Sequence, residues 1–146
     1  MVNKKILIIS SSADISGAPL HALEILGALY KKYKFFVAVP LNQKLSKKFL
    51  YFSDNRVIHL EKKIRTIFFL RKLKAFVQSN NIEVIHSIGK SAGLYGRALK
   101  WLCPSVVHIF SSQGVHYDRY GFLKKIMFNI YEVFSHTYVD KFVFAS

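Results

Sequence analysis

IEVIHSIGKSAGLYGRALKWLCPSVVHIFSSQGVHY, residues Ile82 to Tyr117, decides the fold. A short apolar run ends at His86-Ser87. A glycine-punctuated loop then leads into a helical pattern over Ser91 to Leu102. A second apolar run, Val106 to Ser111, ends in a polar loop carrying Gly114 and His116. Strand, helix and strand in this order form a parallel β-α-β unit, because two parallel strands need a crossover of a dozen or more residues. Such a unit puts a loop at the carboxyl end of each strand, where open α/β sheets bind ligands.

Working outward, Lys5 to Ser10 (KILIIS) is apolar without alternation, the pattern of a strand buried on both faces. After the loop Ser11 to Ser16, Ser16 or Gly17 can cap a helix whose first turn holds Pro19, where the missing donor costs nothing. Leu20, Leu23, Leu26 and Tyr30 recur at helical spacing, and Lys31, Lys32 and Lys34 follow at the end that favours cations. Phe35 to Val39 reads as the second strand, stopped by Pro40. Leu45 to Phe52 is a short basic helix or turn, and Arg56 to Leu60 a third strand. Ile64 to Ser79 is a helix ended by Asn80 and Asn81, and Glu83 to Ser87 is the fourth strand. Beyond the fifth strand, Phe122 to about Tyr138 reads as a long helix and Lys141 to Ala145 as a sixth strand. The expectation is a single α/β domain over residues 1–146, with a doubly wound, mostly parallel, Rossmann-like sheet. A sequence that stops on a buried strand, with no helix to cover it, also predicts a piece cut from a larger protein.

Composition narrows the partners. The chain has 146 residues and 51% hydrophobic content, which excludes disorder. Twenty-two Lys and Arg against eight Asp and Glu give a formal net charge of +14, which attracts polyanions: nucleic acid, anionic lipid or phosphorylated substrates. No apolar run approaches the roughly 20 residues of a membrane span. The N-terminal apolar run, Ile6 to Ile9, is too short for a signal peptide. The single Cys103 cannot form an internal disulfide and reads as a packed thiol in a reduced, cytoplasmic protein. No histidine pair has metal-ligand spacing with carboxylates nearby, so no metal site is expected. The dinucleotide fingerprint and the nucleophile elbow are both absent.

Three groups of residues carry a resemblance. Ser16-Gly17-Ala18-Pro19 opens a leucine-rich helix. His86-Ser87 at a strand end is followed by Lys90, Gly93, Gly96 and Arg97. Gln113-Gly114-Val115-His116-Tyr117 follows the next strand. In order and spacing these resemble the Gly-Gly-Ala turn, the His and Lys-x-Gly pattern and the His-Gly-Phe-His-Phe loop of glycosyltransferase family 4, the retaining GT-B enzymes of polysaccharide and glycolipid assembly. Glu132 and the terminal stretch Asp140 to Ser146 fit as well. The resemblance covers nearly the whole chain and matches the N-terminal, acceptor-side domain. It implies transfer of a sugar from a nucleotide-sugar donor to a lipid-linked or glycan acceptor, with no cofactor. It also implies that the C-terminal, donor-binding domain is absent from this chain and is either separately encoded or lost. That domain carries two glutamates separated by seven residues; Glu24, Glu61, Glu83 and Glu132 contain no such pair. Gln113 stands where the family has His. An amide can bond hydroxyls but cannot exchange a proton near neutral pH.

The resemblance points to Ser16, Gly17, Ala18, Lys90, Gly93, Gln113 and Gly114 as substrate-binding residues and to His116 as catalytic. For the first loop the residues alone leave two readings, an anion site at a helix N-terminus and an ordinary capped turn. Lys90 lies in the loop before its helix and can meet a phosphate. Gly93 and Gly96, three apart, let the helix approach the sheet, and Arg97 reads as a surface or inter-element ion pair. His116 either lines the acceptor site or faces solvent.

A second candidate surface is KKIRTIFFLRKLK, Lys62 to Lys74, in which six of thirteen residues are Lys or Arg. Lys62, Lys63, Arg65, Phe68, Phe69, Arg71, Lys72 and Lys74 can lie on an anionic membrane. The same pattern also suits a core-covering helix with a solvated basic rim. The leading expectation is therefore the acceptor half of a glycosyltransferase, peripheral on the inner face of the cell membrane and inactive alone. The alternative is a non-catalytic membrane- or polyanion-binding module. No nucleic-acid-binding motif is present.

Overall fold

The computed structural model describes residues 4–60, 66–112 and 136–144, with the two helical positions Ile126 and Val133. Its elements are β1 (Lys5–Ser10), α1 (Gly17–Leu29), β2 (Lys34–Val39), α2 (Ser46–Phe52), β3 (Val57–His59), α3 (Thr66–Ser79), β4 (Val84–Ile88), α4 (Lys90–Leu102), β5 (Val107–Ser112), a 3₁₀ turn at His136–Tyr138, and β6 (Lys141–Phe144). All six strands pair in parallel, in the order β3-β2-β1-β4-β5-β6.

β1 lies between β2 and β4, with Ile6 opposite both Phe35 and Val84. A strand in that position has no wet face, and Leu7, Ile8 and Ile9 are fully buried. From β1 the chain builds outward through β2 to β3, then returns to β4 on the other side of β1. Right-handed crossovers in opposite directions put their helices on opposite faces. Ile8, Phe35, Val37 and Val39 accordingly pack with Ala22, Leu23 and Leu26 of α1 and Phe49 of α2. Leu7, Ile9, Phe36 and Ala38 pack with Leu73 and Val77 of α3 and Leu99 of α4. The expected doubly wound sheet is present.

Several boundaries differ from the sequence reading. β3 is three residues long and only half buried. Arg56, expected to start it, instead sends its guanidinium to the Phe35 carbonyl at 2.9 Å and the Asp54 carboxylate at 2.9 Å. α4 starts at Lys90, because Gly89 is its N-cap at φ 86°, a conformation that glycine alone adopts without strain. Lys90 thus belongs to the first helical turn and not to the loop before it. Most of the stretch expected as a helix over Phe122 to Tyr138 lies outside the described residues. Within them Ile126 and Val133 are helical, and His136–Tyr138 forms a separate 3₁₀ turn. β6 is not the buried strand expected: among the described residues it is a sheet edge with β5 as its one neighbour, and Phe144 is 78% exposed.

Asp140 holds that edge. Its carboxylate accepts the His108 N–H at 2.7 Å and the Lys100 ammonium at 2.9 Å, and its own N–H donates to the His108 carbonyl at 2.9 Å. The backbone hydrogen bond from His108, with help from Lys100, holds the carboxyl below its usual range. The side chain is 39% exposed, so the bonds contribute about 1 kcal/mol and not more. Asp140→Ala should therefore speed amide exchange in β6 by roughly fivefold while leaving β1 and β2 unchanged. A uniform acceleration across the sheet would contradict this local role.

Candidate ligand crevice where the strand order reverses

Adjacent strands β1 and β4 leave the sheet toward helices on opposite faces, and open α/β sheets bind ligands outside the carboxyl ends of strands at such a reversal. The loop after β1 is tied down from the side. Ser10 Oγ donates to the Ser12 carbonyl at 2.7 Å, and the Gln43 side-chain oxygen accepts from both the Ala13 N–H and the Ser12 hydroxyl. The Leu45 N–H closes the contact on the Ala13 carbonyl at 2.7 Å. Gln43 comes from the turn after β2, so two loops brace one another.

Ser16 then enters α1 in an extended conformation. Its carbonyl accepts the Leu20 N–H at 3.1 Å, but its side chain makes no capping bond. Gly89, before α4, has no side chain to cap with; its N–H donates to the Ser111 carbonyl at 3.0 Å. Neither first turn contains an acidic residue. The two helix starts touch: a Cβ placed on Gly89 would lie 3.2 Å from the Ala18 Cβ. Each helix start carries a partial positive charge, so their juxtaposition favours an anion between them. Lys90, exposed at the same corner, adds a full positive charge.

Below this rim lie two buried His–Ser pairs. His86 Nε2 and Ser111 Oγ are 2.7 Å apart. Burial, with the nearby His21 and His108, lowers the His86 pKa to about 4, so His86 is neutral at neutral pH. It can exchange hydrogen bonds but offers no positive charge to a ligand. His108 Nδ1 lies 2.6 Å from the Tyr138 carbonyl, which can only accept, so Nδ1 carries the proton. Nε2 is then an acceptor for the Ser87 hydroxyl, 2.7 Å away. Ser87 and His108 are both fully buried, and the pair is a structural tie, not an activated nucleophile. Burial also pushes the His108 pKa down.

The sequence candidates divide accordingly. The contact between Ala18 and Gly89 brings Gly17, Ala18 and Lys90 to one corner, with exposed Ser16 at its edge. Gly93 faces inward, where an added Cβ would lie 2.6 Å from the Phe110 ring. Its role is close packing and not ligand contact. Arg97, read as a surface or inter-element ion pair, is not at the surface: it is 4% exposed and lies over the Phe110 ring at 4.6 Å, the close approach at Gly93 making room for it. Gln113, Gly114 and His116 lie outside the described residues, as do Lys62, Lys63 and Arg65. On α3 the expected membrane contacts split. Phe68 is 60% exposed and Arg71 and Lys72 face outward, but Phe69 is buried and packs edge-on against Tyr95 at 5.5 Å. Phe69 is a core residue because Leu73 and Val77, on the same helical stripe, face the sheet. Cys103 is buried, and its thiol pKa is raised by that burial.

Gln43, Ser111 and the His108 tie escaped the sequence reading. The available signal was the recurrence of serine at the carboxyl ends of β1, β4 and β5: Ser10, Ser87 and Ser111. Among the described residues, no three His, Cys, Asp or Glu side chains are placed to share a metal ion, and no helix is long and apolar enough to cross a membrane. No protein-family model matches the chain, and a search of curated proteins finds no relative.

Proposed function

We propose that this chain is the acceptor-side half of a retaining, GT-B-type glycosyltransferase. The complete enzyme moves a sugar from a nucleotide donor to a lipid-linked or glycan acceptor in cell-surface polysaccharide assembly, at the cytoplasmic face of the membrane. The observation that carries this reading is the meeting of two helix starts, neither with an acidic residue in its first turn, at the reversal between β1 and β4. Such a corner suits the charged part of a glycosyl phosphate. The sequence resemblance supplies the reaction class, and His116 and Gln113 are proposed from it to line the acceptor side. Catalysis of this kind rests on positioning and on stabilising the leaving diphosphate. Most of that stabilisation belongs to a donor-binding domain, and no metal or cofactor is invoked.

The purified 146 residues, incubated with mixed nucleotide-sugar donors and glycan acceptors, should give no sustained transfer. Sustained turnover by this chain alone would contradict the half-enzyme reading. A second reading, a non-catalytic polyanion-binding module, is favoured by the net charge of +14 and by the outward Arg71 and Lys72. Under it, glycosyl phosphates bind no better than inorganic phosphate of equal charge.

A further inference from the structure

The flank formed by α1 and α2 presents a surface that the crevice does not use. Lys44, Lys47, Lys48 and Tyr51 are all exposed, and their offsets of three, four and seven place them on one stripe of α2 and the turn before it. Across from them on α1 is Leu20, 42% exposed. Leu20, Leu23, Tyr51, Phe52 and the stems of Lys47 and Lys48 line a groove of about 570 Å³, in which Glu24 is the one acidic residue. Ile15, 65% exposed, stands in the loop just before α1. Lysine stems can cover apolar surface while their ammonium groups reach outward. A tyrosine beside them matches the side chain preferred where apolar and aqueous phases meet.

We infer that this α1–α2 flank docks on an anionic lipid bilayer, with Ile15, Leu20 and Tyr51 entering the headgroup boundary and Lys44, Lys47 and Lys48 meeting acidic headgroups. Charge complementarity selects the occupant: an apolar groove lined by Lys47 and Lys48 against the single Glu24, with Lys44 exposed in the turn before α2, fits an acidic lipid surface better than an uncharged protein face. The flank also outcompetes α3. The described outward face of α3 offers Phe68 as its large apolar side chain, since Phe69 is in the core, whereas the α1–α2 flank offers Ile15, Leu20 and Tyr51. α1–α2 and α3–α4 cover opposite faces of the sheet, so one flat bilayer accommodates one of them. The docking stands on these residues whether or not the crevice handles sugars. The start of α1 belongs to both surfaces, which places the crevice next to the bilayer.

Sedimentation with phosphatidylcholine vesicles, with and without phosphatidylglycerol, tests the inference on the intact chain. Binding should require the acidic lipid. Leu20→Ser with Tyr51→Ser leaves the charge unchanged and should weaken binding roughly tenfold or more, because apolar insertion is lost. Phe68→Ser should have no effect. If the double variant shifts the urea midpoint, Ile15→Ser carries the same test from an exposed loop position. Wild-type binding by the Leu20/Tyr51 and Ile15 variants, or loss of binding through Phe68→Ser alone, overturns the inference. So does a change from dimer to monomer in the Leu20/Tyr51 variant with vesicle binding intact, which would assign the flank to a second copy.

Discussion

Lowering the pH from 7 to 4 should remove about 3 kcal/mol of folding stability through His86 alone. In the folded chain its pKa lies near 4, against the ordinary 6.5. Between those values the unfolded chain binds a proton that the folded chain refuses. The stabilisation is complete above pH 6.5 and is lost as the pH falls toward 4. His108, also shifted down by burial, acts in the same direction. Asp140, whose carboxyl is shifted down from 3.8, loses its contribution only below this window. Urea unfolding at half-unit pH steps measures the slope. His86→Gln keeps a group that can bond Ser111 but removes the titration, so its stability should fall less steeply between pH 6.5 and 4. An unchanged slope in that variant would show that His86 is not the group responsible.

Gly96→Ala should destabilise the fold by about 3 kcal/mol, although alanine is the better helix former by about 1 kcal/mol. A Cβ there would collide with the His108 ring at Nε2 and lie 2.7 Å from Ser87 Oγ. Neither neighbour can yield cheaply. His108 is held at both ring nitrogens, and moving it would leave buried polar groups unpaired. Gly27→Ala is the internal comparison. Its Cβ would meet Phe52 at 3.6 Å, ordinary contact, so the helix propensity gain should appear as about 0.5–1 kcal/mol of added stability. Urea midpoints of the two variants should move in opposite directions. Movement in the same direction would contradict the close approach of α4 to the sheet.

Gly93 and Gly96 illustrate what a sequence conveys and what it conceals. The three-residue spacing of Gly93 and Gly96 suggested close approach of α4, and both positions do face inward. Nothing in the spacing named the partners, because Phe110 and His108 reach α4 from β5, whose side-chain directions the helix pattern does not specify. Strand identity was readable for the same reason that β1 is central: a non-alternating run such as KILIIS has nowhere to go but a doubly covered sheet. Edge elements were harder. RVIHL shrank to three residues and β6 proved exposed, because an edge strand has one neighbour to define its length. Phe69, and the surface alternative for Arg97, were misplaced by residue type. A guanidinium is usually outward, but here an aromatic face covers it, and a phenylalanine in a basic run still obeys its helical stripe. Helix starts at Gly17 and Lys90 were readable to within a residue. Their contact was not, since it depends on where the strand order turns back.

An amide-resolved NMR titration with a water-soluble glycosyl diphosphate shows directly whether this corner receives a glycosyl phosphate. Saturable shifts are expected at Gly17, Ala18, Gly89, Lys90 and Ser111, and they should persist when added salt screens the surface lysines. Shifts confined to Lys44 through Tyr51 or to Arg71 and Lys72, vanishing with salt and leaving the β1–β4 corner unmoved, would contradict it.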